Sequence, residues 1–232
     1  WVDAEKVAVV DKKFIRTWKS RPLAAIVRDE TELRVNVRKK DAATDGKPVR
    51  LAHVGAVLPL APYSASAPPM KSPHLYVNVP VRENDGTARI GEAMVSMHSV
   101  RNKPVPLTPG NVALVGNAMM GQPYGWGGLF GQRDCSATMR DLFAPFGIWL
   151  PRNSLPQGKT GERAELAGRA PEQKEERIMA GGVPFFSIVS MPGHVGLYLG
   201  THPVETPGKG PDSSRETPVM FHNIWGLRVV SG

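Results

Sequence analysis

The chain has 232 residues, of which 41% are apolar and 22% charged, with a net charge of +8 and a pI near 9.8. That composition is ordinary for a globular protein of one or two domains, and no apolar run approaches the roughly 18 residues that a membrane-spanning helix needs. A single cysteine, Cys135, excludes an internal disulfide and a cysteine-based zinc site.

The basic balance favours polyanions through salt-sensitive attraction. The basic residues are scattered, however, and the one local cluster, Arg34, Arg38, Lys39 and Lys40, is too short to signal nucleic-acid binding. A solvated loop or strand edge is the expectation there. The chain opens on Trp1-Val2-Asp3 rather than on Met and a basic segment, which is expected of a processed or trimmed product.

In chain order, residues 1–20 hold a short apolar stretch and a helical turn. From Pro22 to about Leu107 short strands follow, at Leu23–Val27, Leu33–Val37, Val49–Leu60, Leu75–Val81 and Ala88–Met94. Turn formers separate them: Asp45-Gly46-Lys47-Pro48, Ala67-Pro68-Pro69 and Asn84-Asp85-Gly86. Pro80 marks Leu75–Val81 as an edge strand. Strands at this spacing predict a small β-barrel.

A proline-rich hinge, 103–110, leads to a different pattern. Helices are predicted at Val112–Met119, Cys135–Phe143 and Glu172–Met179, with Met139, Leu142 and Phe143 forming an apolar face on the second. Strands Phe185–Ser190 and Val195–Leu199 follow, joined by Met191-Pro192-Gly193. A Pro/Gly/Ser-rich loop, 201–218, reads as a solvent hairpin or groove wall, and leads to a last strand at Val219–Ile224. Helices first and strands afterwards make this half α+β.

Cys135 is either a small buried hydrophobe or a nucleophile. At a helix N-terminus the free backbone N–H groups favour a thiolate, while Asp134, at the N-cap, opposes it. A nearby imidazole would restore reactivity by taking the proton. His194 follows the tight Pro192-Gly193 turn at the edge of an apolar strand, and His222 has the same placement in the next strand. Antiparallel neighbours can put both rings on one face, with His222 orienting His194. His53, His74, His98 and His202 are expected to be satisfied core residues. His202, at a loop start, is the runner-up third residue.

Tyr124-Gly125-Trp126-Gly127-Gly128, then Asp134-Cys135-Ser136, then Gly193-His194-Val195-Gly196-Leu197-Tyr198-Leu199-Gly200, resemble the NlpC/P60 cysteine peptidases. The resemblance covers residues 110–232, in the family's order, with 59 residues (194 − 135) between Cys and His. It implies a papain-like α+β catalytic domain over 109–232, acting as a cell-wall endopeptidase. Such enzymes cut the γ-D-glutamyl to diamino acid bond of peptidoglycan stem peptides, usually at meso-diaminopimelate. Cys135 would be the nucleophile, His194 the base and His222 the orienting residue, with no metal or cofactor. The Cys135 backbone N–H would serve the oxyanion hole.

The upstream half resembles the bacterial SH3-like domains of one subgroup. Residues 1–20 would end a first such domain, and 21–108 would form a complete second, a small all-β barrel. Tyr124 and Ser136 match positions that touch the peptide in those relatives, at its free L-Ala amine, and Trp126 is placed to wall the groove or to pack in the core. Those relatives pair the amine with a carboxylate where this chain has Asn153, in Pro151-Arg152-Asn153-Ser154. An amide supplies no countercharge. The expected partners are tri- or tetrapeptide stems, with neither nucleic acid nor integral membrane contact. An extracytoplasmic location, in the periplasm or cell wall, follows from that substrate. The competing readings are an inactive or weak peptidoglycan-binding protein, and an amidase or acyltransferase on the same scaffold.

Overall fold

The computed structural model describes residues 7–35, 49–62, 73–205 and 214–226. The Arg38-Lys39-Lys40 cluster, the turns expected at 45–48 and 67–69, and residues 1–6 lie outside them. The chain divides into two compact units, Trp1–Pro106 with Ala144–Gly147, and Leu107–Phe143 with Ile148–Gly232.

The first unit opens on helix α1 (Lys12–Lys19), whose N-cap Asp11 accepts the Phe14 N–H at 2.6 Å. Seven strands follow among the described residues: β1 (Leu23–Ile26), β2 (Thr31–Val35), β3 (Val49–Ala52), β4 (Val57–Pro59), β5 (His74–Arg82), β6 (Ala88–Ser96) and β7 (Val100–Asn102). They form two antiparallel sheets, β4-β1-β7 and β3-β2-β6-β5. Strand β2 alternates as its pattern requires, with Thr31, Leu33 and Val35 inward. Ile26, Leu33, Val77, Val79, Val95 and Val100 belong to one buried core. Pro80 does lie on an edge strand, β5, where its missing N–H interrupts no ladder within that sheet. Asn84-Asp85-Gly86 turns β5 into β6, with Asp85 Oδ1 accepting the Thr87 N–H and hydroxyl at 2.9 and 2.7 Å.

Two strand expectations change. Val49–Leu60 is two strands in different sheets, because the chain turns at His53–Ala56, where the Ala56 N–H meets the His53 carbonyl at 3.0 Å. Strand β7 is too short to show an alternating pattern. The histidines of this unit are not core residues. His74 and His98 are exposed, and His53 faces Asp29 at 3.5 Å from a partly exposed position.

The second unit contains α2 (Pro109–Asn117), α3 (Cys135–Phe143), α4 (Ser154–Gln157), α5 (Pro171–Gly181) and strands β8 (Ile188–Met191), β9 (His194–Glu205) and β10 (Ser214–Phe221). Helix α2 starts three residues before its expected position, because the end of the proline hinge serves as its cap. Thr108 Oγ1 accepts the Asn111 N–H at 3.3 Å, and Pro109 sits in the first turn, where no N–H is needed. Helix α3 has the expected bounds and buries Met139, Leu142 and Phe143. It packs on β9, the central strand of an antiparallel sheet ordered β10-β9-β8. Residues 144–147, beyond α3, join the first unit, where the Val105 N–H donates to the Pro145 carbonyl at 2.9 Å.

Strand β8 begins three residues late because the chain turns at Val183–Ser187, with Phe185 at φ 67°. The region expected as a loop, 201–218, is strand at both ends, paired from Thr201↔Pro218 to Glu205↔Ser214. Its outer residues are exposed, so burial leaves no alternating pattern to read. His202 therefore lies in a strand, opposite Thr217, and is exposed. His222 lies one residue past the end of β10 rather than within a strand.

Candidate active site

Cys135 is the first residue of α3 and is 5% exposed. Asp134 caps the helix: its Oδ1 accepts the Ala137 N–H at 2.8 Å and the Ser136 hydroxyl at 2.9 Å. The cost of a carboxylate beside the thiol is offset by Arg152, whose Nη1 and Nη2 donate to Oδ1 and Oδ2 of Asp134 at 2.9 and 2.5 Å. Burial alone would raise the Asp134 pKa. The hydrogen bonds from Arg152, Ala137 and Ser136, with the Arg152 charge, outweigh it and hold the carboxyl below 3.8.

The same guanidinium also donates to the Ser136 hydroxyl. Ser136 is 2% exposed, and its side chain braces the Asp134–Arg152 pair. Gln157 is 1% exposed, and its Nε2 bridges the Ser136 and Pro151 carbonyls, both at 2.8 Å. That bridge fixes the Arg152 segment against the first turn of α3.

His194 owes its position to the turn before it. Met191 pairs with His194 across the two-residue Pro192-Gly193 loop, and Gly193 has φ 76°, the left-handed conformation that the second turn residue of a type II turn requires. Cys135 Sγ lies 4.0 Å from the carbonyl oxygen of Gly193, which brings the thiol to the residue before the imidazole.

His222 reaches the same place through a register shift. Val219 pairs with Gly200 but Met220 pairs with Tyr198, so β9 carries one extra residue, Leu199. Without this bulge His222 would stand opposite Leu197, whose side chain is buried. With it, Phe221 pairs with Leu197, and His222 falls beside Gly196, two residues from His194 on one face. Gly196 allows the approach, since a Cβ there would lie 3.0 Å from that of His222. His194 Nε2 and His222 Nδ1 are 2.9 Å apart, with ring centroids at 5.1 Å and planes at 73°. Of the two ring nitrogens of His194, Nδ1 is the one that His222 does not engage. Burial first, then the neighbouring His222, lowers the His194 pKa below 6.5.

Tyr124 forms an isolated parallel bridge with Arg133, two residues before Cys135. Gly125 must be glycine for this bridge, because a Cβ would lie 2.6 Å from the Leu129 carbonyl oxygen and from Gln132 Cβ. The phenol lies close enough to Cys135 and Asp134 for both to act on its ionisation. Burial, then the neighbouring Cys135 and Asp134, raise its pKa above 10, so the hydroxyl keeps its proton. Its ring meets Trp225 edge-on at 6.1 Å. Trp126 is 69% exposed, which removes the core-packing alternative. Asn153 is exposed at φ 78°, next to Arg152 but with no side-chain bond to the helix it precedes.

The sequence did not single out Arg152 or Gln157. A carboxylate capping the helix of a nucleophile requires a nearby cation, which is a signal for the first. The second, a buried amide spanning two segments, has none. Among the described residues no group of three or more His, Cys, Asp or Glu could hold a metal, and no helix is long and apolar enough to cross a membrane.

Residues 121–225 match the model of the NlpC/P60 family, so this part of the chain is an NlpC/P60 family domain. Over 97 residues the chain is 33% identical to a gamma-D-glutamyl-L-lysine dipeptidyl-peptidase of Bacillus subtilis (strain 168), covering 40% of this chain and 30% of that protein. It also resembles the solved structure of an NlpC/P60 endopeptidase from Photobacterium damselae subsp. piscicida. That similarity spans 98% of this chain and 46% of the other, at 27% identity and a TM-score of 0.73. An NlpC/P60 family protein from Bacillus cereus ATCC 10987 shares the fold at 16% identity and a TM-score of 0.51, over 91% of this chain and 62% of the other. The chain thus spans less than half the length of the first two.

Proposed function

We propose that the chain is a cysteine peptidase of the bacterial cell wall that hydrolyses the γ-D-glutamyl to diamino acid bond of peptidoglycan stem peptides. The observation that carries this reading is the thiol at the start of α3 beside the turn into His194, with His194 bonded to His222. The family matched by residues 121–225 and the activity for which the Bacillus subtilis relative is named support the substrate class.

In this mechanism Cys135 Sγ attacks the scissile carbonyl carbon while its proton passes to His194 Nδ1. His222 Nδ1 holds the far nitrogen and fixes the imidazole orientation. The developing oxyanion is met by the Cys135 N–H and by the Tyr124 hydroxyl, a neutral donor beside it. The carbon–nitrogen bond then breaks, and the amine leaves with the proton from His194. Water attacks the thioester, giving its proton to His194, and the released thiolate takes that proton back.

Trp126 and Trp225, both exposed, flank Tyr124 and form one wall of the peptide groove. Asn153 gives this groove no charge for a free L-Ala amine, so stems still attached to the glycan are accepted. The β-rich first unit is an SH3-like module that holds the wall, and the protein works in the periplasm or cell wall.

The test is incubation under reducing conditions with L-Ala-γ-D-Glu-meso-diaminopimelate peptides and with whole sacculi, followed by mass spectrometry. Release of the fragment beginning at the diamino acid is expected, and Cys135→Ala should abolish it. No release from either substrate would leave the chain as a wall-binding protein, while activity in Cys135→Ala would remove the nucleophile assignment.

A further inference from the structure

His222 is a weakly anchored residue for the role it is given. Strand β10 ends at Phe221, so no ladder bond holds the segment that follows, and the ring itself is exposed. The next residue supplies what the strand does not. Asn223 Nδ2 donates to the carbonyl oxygen of Arg133 at 3.0 Å, across 90 residues of sequence.

That carbonyl belongs to the other half of the site. It also accepts the Gly125 N–H at 2.9 Å, the bond that closes the Tyr124–Arg133 bridge. Arg133 immediately precedes Asp134 and Cys135, and its guanidinium is tied to Asp141 of α3 at 2.8 Å. One oxygen therefore joins three segments: that of Tyr124, that of Cys135 and that of His222.

Resting on the peptidase reading above, we infer that Asn223 is a positioning residue. Its amide ties the His222 segment to the Arg133 carbonyl, so the imidazole pair keeps its place relative to Cys135 and Tyr124. Gly125 and Asn223 both donate to that oxygen, so a side chain that replaces Asn223 there must itself carry a hydrogen-bond donor. Asn223→Asp keeps the shape but turns an oxygen towards an oxygen, and Asn223→Ala leaves the carbonyl with one partner. In either variant the His222 segment is freed from the bridge, and the His194–His222 bond loosens while the thiol and Tyr124 stay in place. A displacement near 1 Å lowers turnover by about 10- to 100-fold, and KM changes little, because no group that touches the peptide is removed.

The lone cysteine makes the test direct, since iodoacetamide reports on one site only. The pH dependence of Cys135 alkylation is measured in the parent, Asn223→Ala, Asn223→Asp, His222→Ala and the Asn223→Ala/His222→Ala double variant. The Asn223 variants are expected to move the profile towards that of His222→Ala, and the double variant to match His222→Ala alone, because both changes act through one ring. Asn223→Asp answers the question should Asn223→Ala not fold. A parental profile in the Asn223 variants, or additive shifts in the double variant, would overturn the assignment. If His222→Ala itself leaves the profile unchanged, the triad reading fails first, so the two failures are distinguishable.

Discussion

Removal of the Arg152 charge should cost more stability than any other surface-accessible change near the site. Arg152→Leu deletes two charge-assisted bonds to Asp134 and leaves the carboxylate with only the Ala137 N–H and the Ser136 hydroxyl. Breaking a fully buried pair by removing one partner costs about 3–5 kcal/mol. Here the Arg152 side chain is 33% exposed and that of Asp134 12%, so water partly compensates. A loss of about 2–3 kcal/mol is expected, at or below the bottom of that range. With a urea dependence of about 2 kcal/mol per molar, the midpoint falls by about 1–1.5 M.

The pH dependence fixes the cause. Because the folded-state pKa of Asp134 is depressed below 3.8, the stability it contributes is fully present above that value. It is lost as pH falls below 3.8 towards the folded pKa, so the gap between parent and variant should narrow in acid. Urea titrations near pH 7 and near pH 3, read by tryptophan fluorescence, measure both. The double variant Asp134→Asn/Arg152→Leu should be less destabilised than Arg152→Leu alone. A midpoint at pH 7 equal to the parent's, or a deficit undiminished in acid, would refute the reasoning.

Three further outcomes follow from the same geometry. Gly196→Ala puts a Cβ 3.0 Å from His222 Cβ, so His222 must retreat by several tenths of an ångström to reach ordinary contact. Steady-state kinetics should show kcat reduced by about tenfold, with about 1–3 kcal/mol lost to overpacking. The depressed pKa of His194 means that the unfolded chain takes up a proton near pH 6.5 while the folded one does not. Its contribution to stability is therefore full above pH 6.5 and declines as pH falls through the folded value. Urea midpoints between pH 7.5 and 5.5 should show a decline that His194→Asn reduces. Finally, Asn153→Asp should raise the preference for peptides with a free L-Ala amine over N-acylated ones, measured as a ratio of kcat/KM, and an unchanged ratio would reject that site.

The local parts of the site were legible in the sequence because their causes are local. Helix α3 announces itself through the Asp134 cap and an apolar face at Met139, Leu142 and Phe143, and the turn into His194 through Pro192-Gly193. What joins these parts was not legible. The face on which His222 lies depends on one extra residue in β9, and a register shift of that kind leaves no periodic mark in the chain. Arg152 and Asn223 act across 18 and 90 residues, on partners that no spacing rule connects. The strands between Thr201 and Pro218 were missed for the opposite reason: their side chains are exposed, so backbone pairing alone makes them strands.

The bulge at Val219/Met220 also separates two properties that a hairpin normally links. Register beside His194 and His222 is set at Gly200, Leu199 and Tyr198 of β9, the strand that packs on α3. The outer arms, from Thr201 and back to Pro218, lie beyond that point, and one of them is tied elsewhere: Arg215 Nη1 donates to Glu175 Oε2 of α5 at 2.7 Å. The hairpin thus serves two ends, with the chemistry positioned by its inner half and helix α5 held by its outer half.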